Sequence, residues 1–123
     1  MDRGRLGVAA QTCLRAVTPL RFRVRTAARR DLANHADYLL AEAGAEVALR
    51  FVANARESFA ALASQPRMGP VIQSRNPRLA GIRKWRVKRF PKFLIFYVPE
   101  PDFIRIVRVL HSAADWWAIL DIE

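Results

Sequence analysis

The chain has 123 residues, about half of them apolar and a quarter charged, which suits one globular domain and leaves no room for two substantial cores. Lys and Arg outnumber Asp and Glu by 21 to 11, so the formal charge of +10 favours an anionic partner. A single cysteine and two histidines exclude an intrachain disulfide and argue against a metal site. No apolar run approaches the ~20 residues that span a membrane, so we expect a cytoplasmic protein without cofactor, metal or membrane partner.

Residues 1–20 differ from the rest of the chain. They hold Arg, Gly, Ala and Thr without firm periodicity, and Pro19 lies at their end. We expect residues 1–20 to form a loosely ordered N-terminal extension and residues 21–123 to form the folded domain. An Arg-bearing arm that touches a partner, or a translation start assigned too far upstream, are the alternatives. Cys13 has no base nearby in sequence, so we expect no nucleophilic role for it.

A short strand and a helix are predicted first. Phe22 and Val24 alternate with arginines over residues 22–25, a pattern typical of a half-buried strand. Thr26 offers a capping hydroxyl to a helix whose apolar residues recur at helical spacing. Gly44 supplies the left-handed conformation that commonly ends a helix.

A second helix follows almost at once. Its apolar stripe runs from Ala48 to Ala63 and is longer than that of the first helix. Pro66 is predicted to end it. Because the link is so short, the two helices are predicted to form an antiparallel hairpin.

Three strands and a last helix are predicted after a loop rich in proline and glycine. Residues 82–90 alternate in hydropathy, residues 93–98 are wholly apolar, and residues 104–110 are mostly apolar. The intervening turns are predicted at residues 91–92 and 99–102. Residues 113–120 would form a short helix that packs a tryptophan against the body.

The order strand, helix, helix, three strands and helix predicts an α+β fold. In it a two-helix hairpin packs on one face of a mostly antiparallel four-stranded sheet. We expect the other face of the sheet to stay open, and therefore to be available to a partner.

Residues 83–92 hold six cations and no carboxylate. In a strand, Lys84, Arg86 and Lys88 would point to one face, about 7 Å apart, a spacing comparable to that of phosphates along a nucleic-acid strand. A solvated edge whose charges prevent strand pairing is the alternative. The clustering favours an anionic partner, and the candidate binding cations are Arg83, Lys84, Arg86, Lys88, Arg89, Lys92 and Arg108.

Other candidate partner-binding residues lie near the two ends of the domain. Arg29 and Arg30 fall in the first turn of the first helix, where the helix dipole disfavours cations, which suggests acidic residues of a partner or neutral drift. Trp116 and Trp117 fall in the last helix. His111 ends the last strand, where it would act either as a general acid or base or, as we favour, as a residue that caps a turn.

These segments, in this order, resemble the ParE toxins of bacterial type II toxin–antitoxin modules, within the ParE/RelE superfamily of plasmid stabilisation proteins. The resemblance covers about residues 22–120. The residues that carry it are Phe22-Arg23-Val24, Ala28, Asp31-Leu32, Pro66-Arg67-Met68-Gly69, Gly81-Ile82-Arg83, Phe90-Pro91, Phe93 to Tyr97, Val107 to His111, and Asp115.

The resemblance implies a non-enzymatic toxin that binds DNA gyrase, traps its DNA-cleavage complex and so blocks replication. It also implies a cognate ParD-like antitoxin, whose acidic tail wraps the basic body and neutralises it. Operator DNA is expected as a partner only of the toxin–antitoxin complex.

RelE-like relatives imply a different activity, metal-independent cleavage of mRNA on the ribosome. The residues that would carry it here are Arg83, Arg86, Lys88, Arg108 and His111. The tail over residues 116–120 lacks the Lys, Arg and Tyr cluster expected of such a nuclease, which favours the gyrase interpretation.

Overall fold

The structure, a computed structural model, describes residues 21–122. Predictions for residues 1–20, including that for Cys13, lie outside the described residues. The elements follow in the predicted order. They are β1 (Arg21–Val24), α1 (Thr26–Ala43), α2 (Ala45–Ser64), a 3₁₀ turn (Pro77–Leu79), β2 (Arg83–Val87), β3 (Phe90–Pro99), β4 (Phe103–His111) and α3 (Trp116–Ile119).

The four strands form one sheet in the order β1–β4–β3–β2. β1 runs parallel to β4, whereas β3 pairs antiparallel with both β4 and β2. The long, mostly apolar strands β3 and β4 occupy the centre, and the short strands β1 and β2 form the edges. With the helical hairpin, this mostly antiparallel sheet confirms the predicted α+β fold.

A single residue, Gly44, links the two helices of the hairpin. Gly44 has a φ of 99°, a conformation that side chains disfavour, and its N–H bonds to the carbonyls of Leu39 and Leu40. The predicted cap at Thr26 is wrong, because α1 already includes Thr26 and its N-cap, Arg25, makes no side-chain capping bond. The Arg25 N–H still pairs with the Ile106 carbonyl, so helix begins directly where strand pairing ends.

The main core lies between the hairpin and the sheet. Phe51 and Phe59 of α2 are fully buried there, facing Ile95, Tyr97 and Ile106 of the central strands. Each such side chain contributes about 1.5–3 kcal/mol by leaving water, so this layer supplies most of the hydrophobic stabilisation.

A second, smaller core lies on the opposite face of the sheet. Leu94, Phe96 and Val98 alternate with the helix-facing residues of β3 and are buried on this side. The loop after α2 and the C-terminal segment cover them with Ile72, Leu79, Ile82, Trp116 and Leu120. The predicted open face is therefore wrong, since a strand that is apolar on both sides needs cover on both.

The two covering segments are joined to each other and to β2. The Arg75 N–H bonds to the Asp121 carbonyl at 2.7 Å, and the Ser74 hydroxyl bonds to the Leu120 carbonyl at 2.7 Å. Earlier in the loop, the Lys84 N–H bonds to the Pro70 carbonyl at 3.2 Å. The loop therefore bonds to the outer edge of β2 and holds the C-terminal segment in place.

One predicted turn is misplaced. Lys88 and Arg89, rather than Pro91 and Lys92, connect β2 to β3, and Arg89 takes a φ of 65°. Pro91 lies inside β3, where the pairing register with β2 is irregular and no ladder bond from its nitrogen is required. The predicted turn before β4 is confirmed, with the Glu100 N–H bonded to the Phe103 carbonyl.

Candidate partner-binding surface

The predicted row of three cations along β2 is broken in the structure. Lys84 places its Nζ 5.0 Å from the ring centroid of Trp116, on the side of the second core. Lys88 lies beyond the end of β2, where strand alternation no longer applies, and its Nζ pairs with Glu57 of α2 at 3.0 Å. Arg86 is exposed between them. The charges therefore spread around the β2 edge rather than along one face.

Arg83 holds the loop after α2. Its Nη1 donates to the carbonyls of Gly69, at 2.6 Å, and Arg67, at 3.2 Å. Tyr97 fixes the same loop, because its buried hydroxyl donates to the Pro66 carbonyl at 2.8 Å and accepts from the Gly69 N–H at 3.0 Å. Burial raises the pKa of the Tyr97 phenol, although the Gly69 bond and the Arg83 charge partly oppose that increase.

Arg86, Arg89 and Lys92 remain exposed at the β2–β3 hairpin, and none pairs with a carboxylate of residues 21–122. We call these three residues the hairpin patch. Beside it lies a cleft of about 530 Å³ between the hairpin and α2, with Trp85, Val87, Ala61 and Pro91 among its lining residues. Arg86, Arg89 and the Lys88–Glu57 ion pair also line this cleft, so a partner segment that combines carboxylates with an apolar side chain would suit it.

Arg108 is committed to an internal ion pair. Its Nε and Nη2 donate to the two carboxylate oxygens of Asp31 at 2.7 and 2.9 Å, a bidentate geometry that raises the pKa of Arg108. Asp31 also accepts the Val109 N–H at 3.0 Å, and the His35 ring nitrogen lies 2.7 Å from the Val109 carbonyl. β1 pairs with β4 only as far as Ile106. Beyond that point Asp31 and His35, one helical turn apart on α1, take the place of a neighbouring strand by bonding to the backbone of Val109.

The structure explains two other candidates locally. Nδ1 of His111 accepts the Ala113 N–H at 3.0 Å, which confirms the turn-capping interpretation. Arg29 donates from Nε and Nη2 to the Val24 carbonyl at 3.3 and 3.2 Å, an interaction that accounts for a cation in the first turn of α1. Arg30 is exposed.

The two tryptophans of α3 differ in exposure. Trp116 is half-buried and packs on Phe96 with ring centroids 5.3 Å apart, as the predicted packing of a tryptophan requires. Trp117 lies edge-on to Trp116 and is 52% exposed. Trp117 is therefore the one of the pair with free surface for a partner.

Three of the five residues that would serve a nuclease contact different parts of the molecule. Arg83 contacts the loop after α2, Lys88 contacts α2, and Arg108 contacts α1. The charged groups of these three are held by carbonyl or carboxylate oxygens. Arg86 is exposed, and Nδ1 of His111 accepts the Ala113 N–H.

Asp31 is the residue that sequence reasoning missed as a determinant of the site. In the sequence it stands out only through the family resemblance, yet it is 7% exposed and holds the guanidinium of Arg108 in an ion pair. Helical spacing already places Asp31 one turn from His35. Its partners, Arg108 and Val109, lie near the other end of the chain and leave no signal in the sequence around Asp31.

The part of the chain that the structure describes offers neither a cluster of metal ligands nor a membrane-spanning helix. Within it, no group of three or more His, Cys, Asp or Glu side chains could hold a metal ion. No helix there is long and apolar enough to cross a membrane.

The sequence matches the family model for the ParE toxin of the type II toxin–antitoxin system parDE over residues 22–116. That match covers most of the chain, and the chain therefore belongs to the ParE toxin family. No curated protein sequence matches it significantly.

A solved structure has a similar fold. It is described as the chromosomal ParDE TA system from P. aeruginosa, with a TM-score of 0.61 and 22% sequence identity. The alignment covers 76% of this chain and 96% of that one. The likeness supports the same chain architecture in both proteins.

Proposed function

We propose that this protein acts in the cytoplasm by binding DNA gyrase and trapping its DNA-cleavage complex, and that a cognate acidic antitoxin neutralises it. The observation that carries the proposal is a hairpin patch that pairs with no carboxylate of residues 21–122, on a chain of the ParE toxin family. Operator DNA would be bound only by the toxin–antitoxin complex.

Several of the residues that would serve a nuclease already make structural contacts, which favours gyrase over the ribosome as the target. A metal-free ribonuclease needs cations that converge on the reacting phosphate. Arg83 and Arg108 instead hold the fold together, and Nδ1 of His111 is occupied by a backbone N–H. Cleavage of mRNA remains the alternative, with Arg86 and His111 as the residues that could still serve it.

The target is tested with purified protein, bacterial gyrase and supercoiled plasmid. We expect gyrase to cleave the plasmid in the presence of the protein. Linear DNA should then be detected once the bound protein is removed with detergent and protease. His111→Ala should retain this effect within about twofold, because the ring caps a turn rather than contacts a substrate. Intact plasmid together with truncated mRNA in a translation extract would overturn the gyrase proposal and support the nuclease.

The antitoxin surface is tested by charge reversal. Arg86→Glu should weaken binding of the cognate antitoxin about tenfold or more, since it removes one favourable charge and adds a repulsive one. Arg50→Glu, at an exposed position on α2, is the matched control and should change the dissociation constant little. Equal effects of the two substitutions in calorimetry would show that overall charge, and not the hairpin patch, attracts the antitoxin.

A further inference from the structure

A second basic feature lies away from the hairpin patch, where α1 begins. It is a cleft of about 580 Å³, within the usual range for small-molecule sites. Its walls come from the start of α1, the 3₁₀ turn, β4 and the C-terminal segment. We call it the arginine cleft, because its lining includes Arg25, Arg78, Arg105 and Arg108, together with Asn76 and the apolar residues Leu79, Val107 and Ile119.

The charges in this arginine cleft are only half compensated. Arg105 pairs with Glu100 at 3.1 Å, and Arg108 pairs with Asp31. Arg25 and Arg78 are exposed, and neither pairs with a carboxylate of residues 21–122. Among residues 21–122, no acidic residue lines the cleft. The described residues therefore leave about two positive charges of the cleft uncompensated.

The uncharged polar groups of the cleft include further donors. The side-chain oxygen of Asn76 is used by the Arg78 N–H at 3.0 Å, which leaves its amide NH₂ as the remaining polar group. Thr26 and Ala27 lie in the first turn of α1, where backbone N–H groups have no helical partner and no acidic side chain is present. A ligand that mainly accepts hydrogen bonds is therefore favoured.

We infer that the arginine cleft binds a phosphate monoester carried by a nucleotide, either free or as the terminal group of a nucleic-acid strand. A monoester carries about −1.5 to −2 charges at neutral pH and presents three acceptor oxygens, which matches the two uncompensated arginines and the added donors. Guanidinium groups pair with phosphate in bidentate geometry. The apolar walls formed by Leu79, Val107 and Ile119 are suited to a sugar or base. A lone carboxylate of a peptide would neutralise only one of the arginines.

The inference is tested by titrating the full chain with adenosine monophosphate, adenosine and inorganic phosphate. We expect the monophosphate to bind, adenosine to bind at least about tenfold more weakly, and phosphate to compete. An oligonucleotide with and without a 5′ phosphate separates the sources, because only a strand-end site prefers the phosphorylated strand to the free nucleotide. Inorganic phosphate that binds as tightly as the nucleotide would overturn the nucleotide assignment.

Single substitutions identify the site. Arg25→Gln and Arg78→Gln should each weaken monophosphate binding about tenfold, the loss expected for one charge-assisted contact. Arg86→Gln in the hairpin patch and Arg56→Gln on α2 are controls that should leave it within about twofold. Far-ultraviolet circular dichroism establishes that each variant is folded. Equal losses in all four variants, or tighter binding of a glutamate-rich peptide than of the nucleotide, would overturn the inference independently of whether gyrase is the target.

Discussion

The two faces of the sheet are built in different ways. The helix-backed face is covered by α1 and α2, which have 18 and 20 residues and are joined at Gly44. The opposite face is covered by a loop with a three-residue 3₁₀ turn and by a C-terminal segment with a four-residue helix. One side therefore supplies most of the stability, while the other is a thin layer in which the arginine cleft is formed.

The thin layer depends on its own internal bonds. The Ser74 hydroxyl and the Arg75 N–H both bond to backbone carbonyls of residues 120–121, so the loop and the terminus order each other. Segments held by so few contacts open at lower free energy than a packed hairpin. We therefore expect local opening on the second-core side without loss of the main core.

The largest expected effect contrasts the two cores. Phe59→Ala should lower the free energy of unfolding by about 4 kcal/mol, because a fully buried ring leaves a cavity in a layer that cannot collapse. Leu120→Ala should cost about 2 kcal/mol, since the short terminal segment can adjust. Urea unfolding measures both values. Equal losses would contradict the ranking of the two cores.

A smaller effect is expected at the junction of α1 and β4. Asp31→Ala should cost about 2–3 kcal/mol, because it leaves Arg108 and the Val109 N–H without their acceptor. Asp37→Ala, at an exposed position on the same helix, should change stability by less than about 0.5 kcal/mol. If the two variants have the same unfolding midpoint, the internal ion pair does not hold this edge of the sheet.

The smallest expected effect on stability is that of Tyr97, and it depends on pH. Tyr97→Phe should cost about 1–2 kcal/mol at neutral pH, through loss of the bonds to Pro66 and Gly69. The folded-state pKa of Tyr97 lies above the ordinary value of 10.0, so its contribution is complete below pH 10 and is lost as pH rises through the folded pKa.

The difference in unfolding free energy between wild type and Tyr97→Phe should therefore shrink above pH 10. Urea titrations at pH 8, 10 and 11 measure it. A difference that stays constant across this range would show that the phenol does not ionise differently in the folded and unfolded chains.

Much of the fold was readable because its signals are local. Helical periodicity, Gly44 and Pro66 predicted the hairpin, and alternating or continuous apolar runs predicted four strands in the observed order. The wholly apolar run over residues 93–98 also held the signal for cover on both faces, since a strand exposed on one side would alternate. The open-face prediction failed because the loop after α2, which lacks the periodicity of a helix or strand, covers that face with Ile72, Leu79 and Ile82.

The candidate site was less readable, because side-chain partners depend on distant parts of the chain. Sequence spacing placed Lys84, Arg86 and Lys88 together, but the end of β2 at Val87 and the proximity of Glu57 separated them. The arginine cleft was missed because residues from four separate segments meet there.

The sequence by itself determined the order of elements, the basic excess and the family resemblance, since each is carried by neighbouring residues or by composition. Only the tertiary structure decided which cations are free. Arg108 is paired because folding brings Asp31, 77 positions earlier, within 2.7 Å of it. Charge pairing is set by distance in space, and a sequence pattern records distance only within one element.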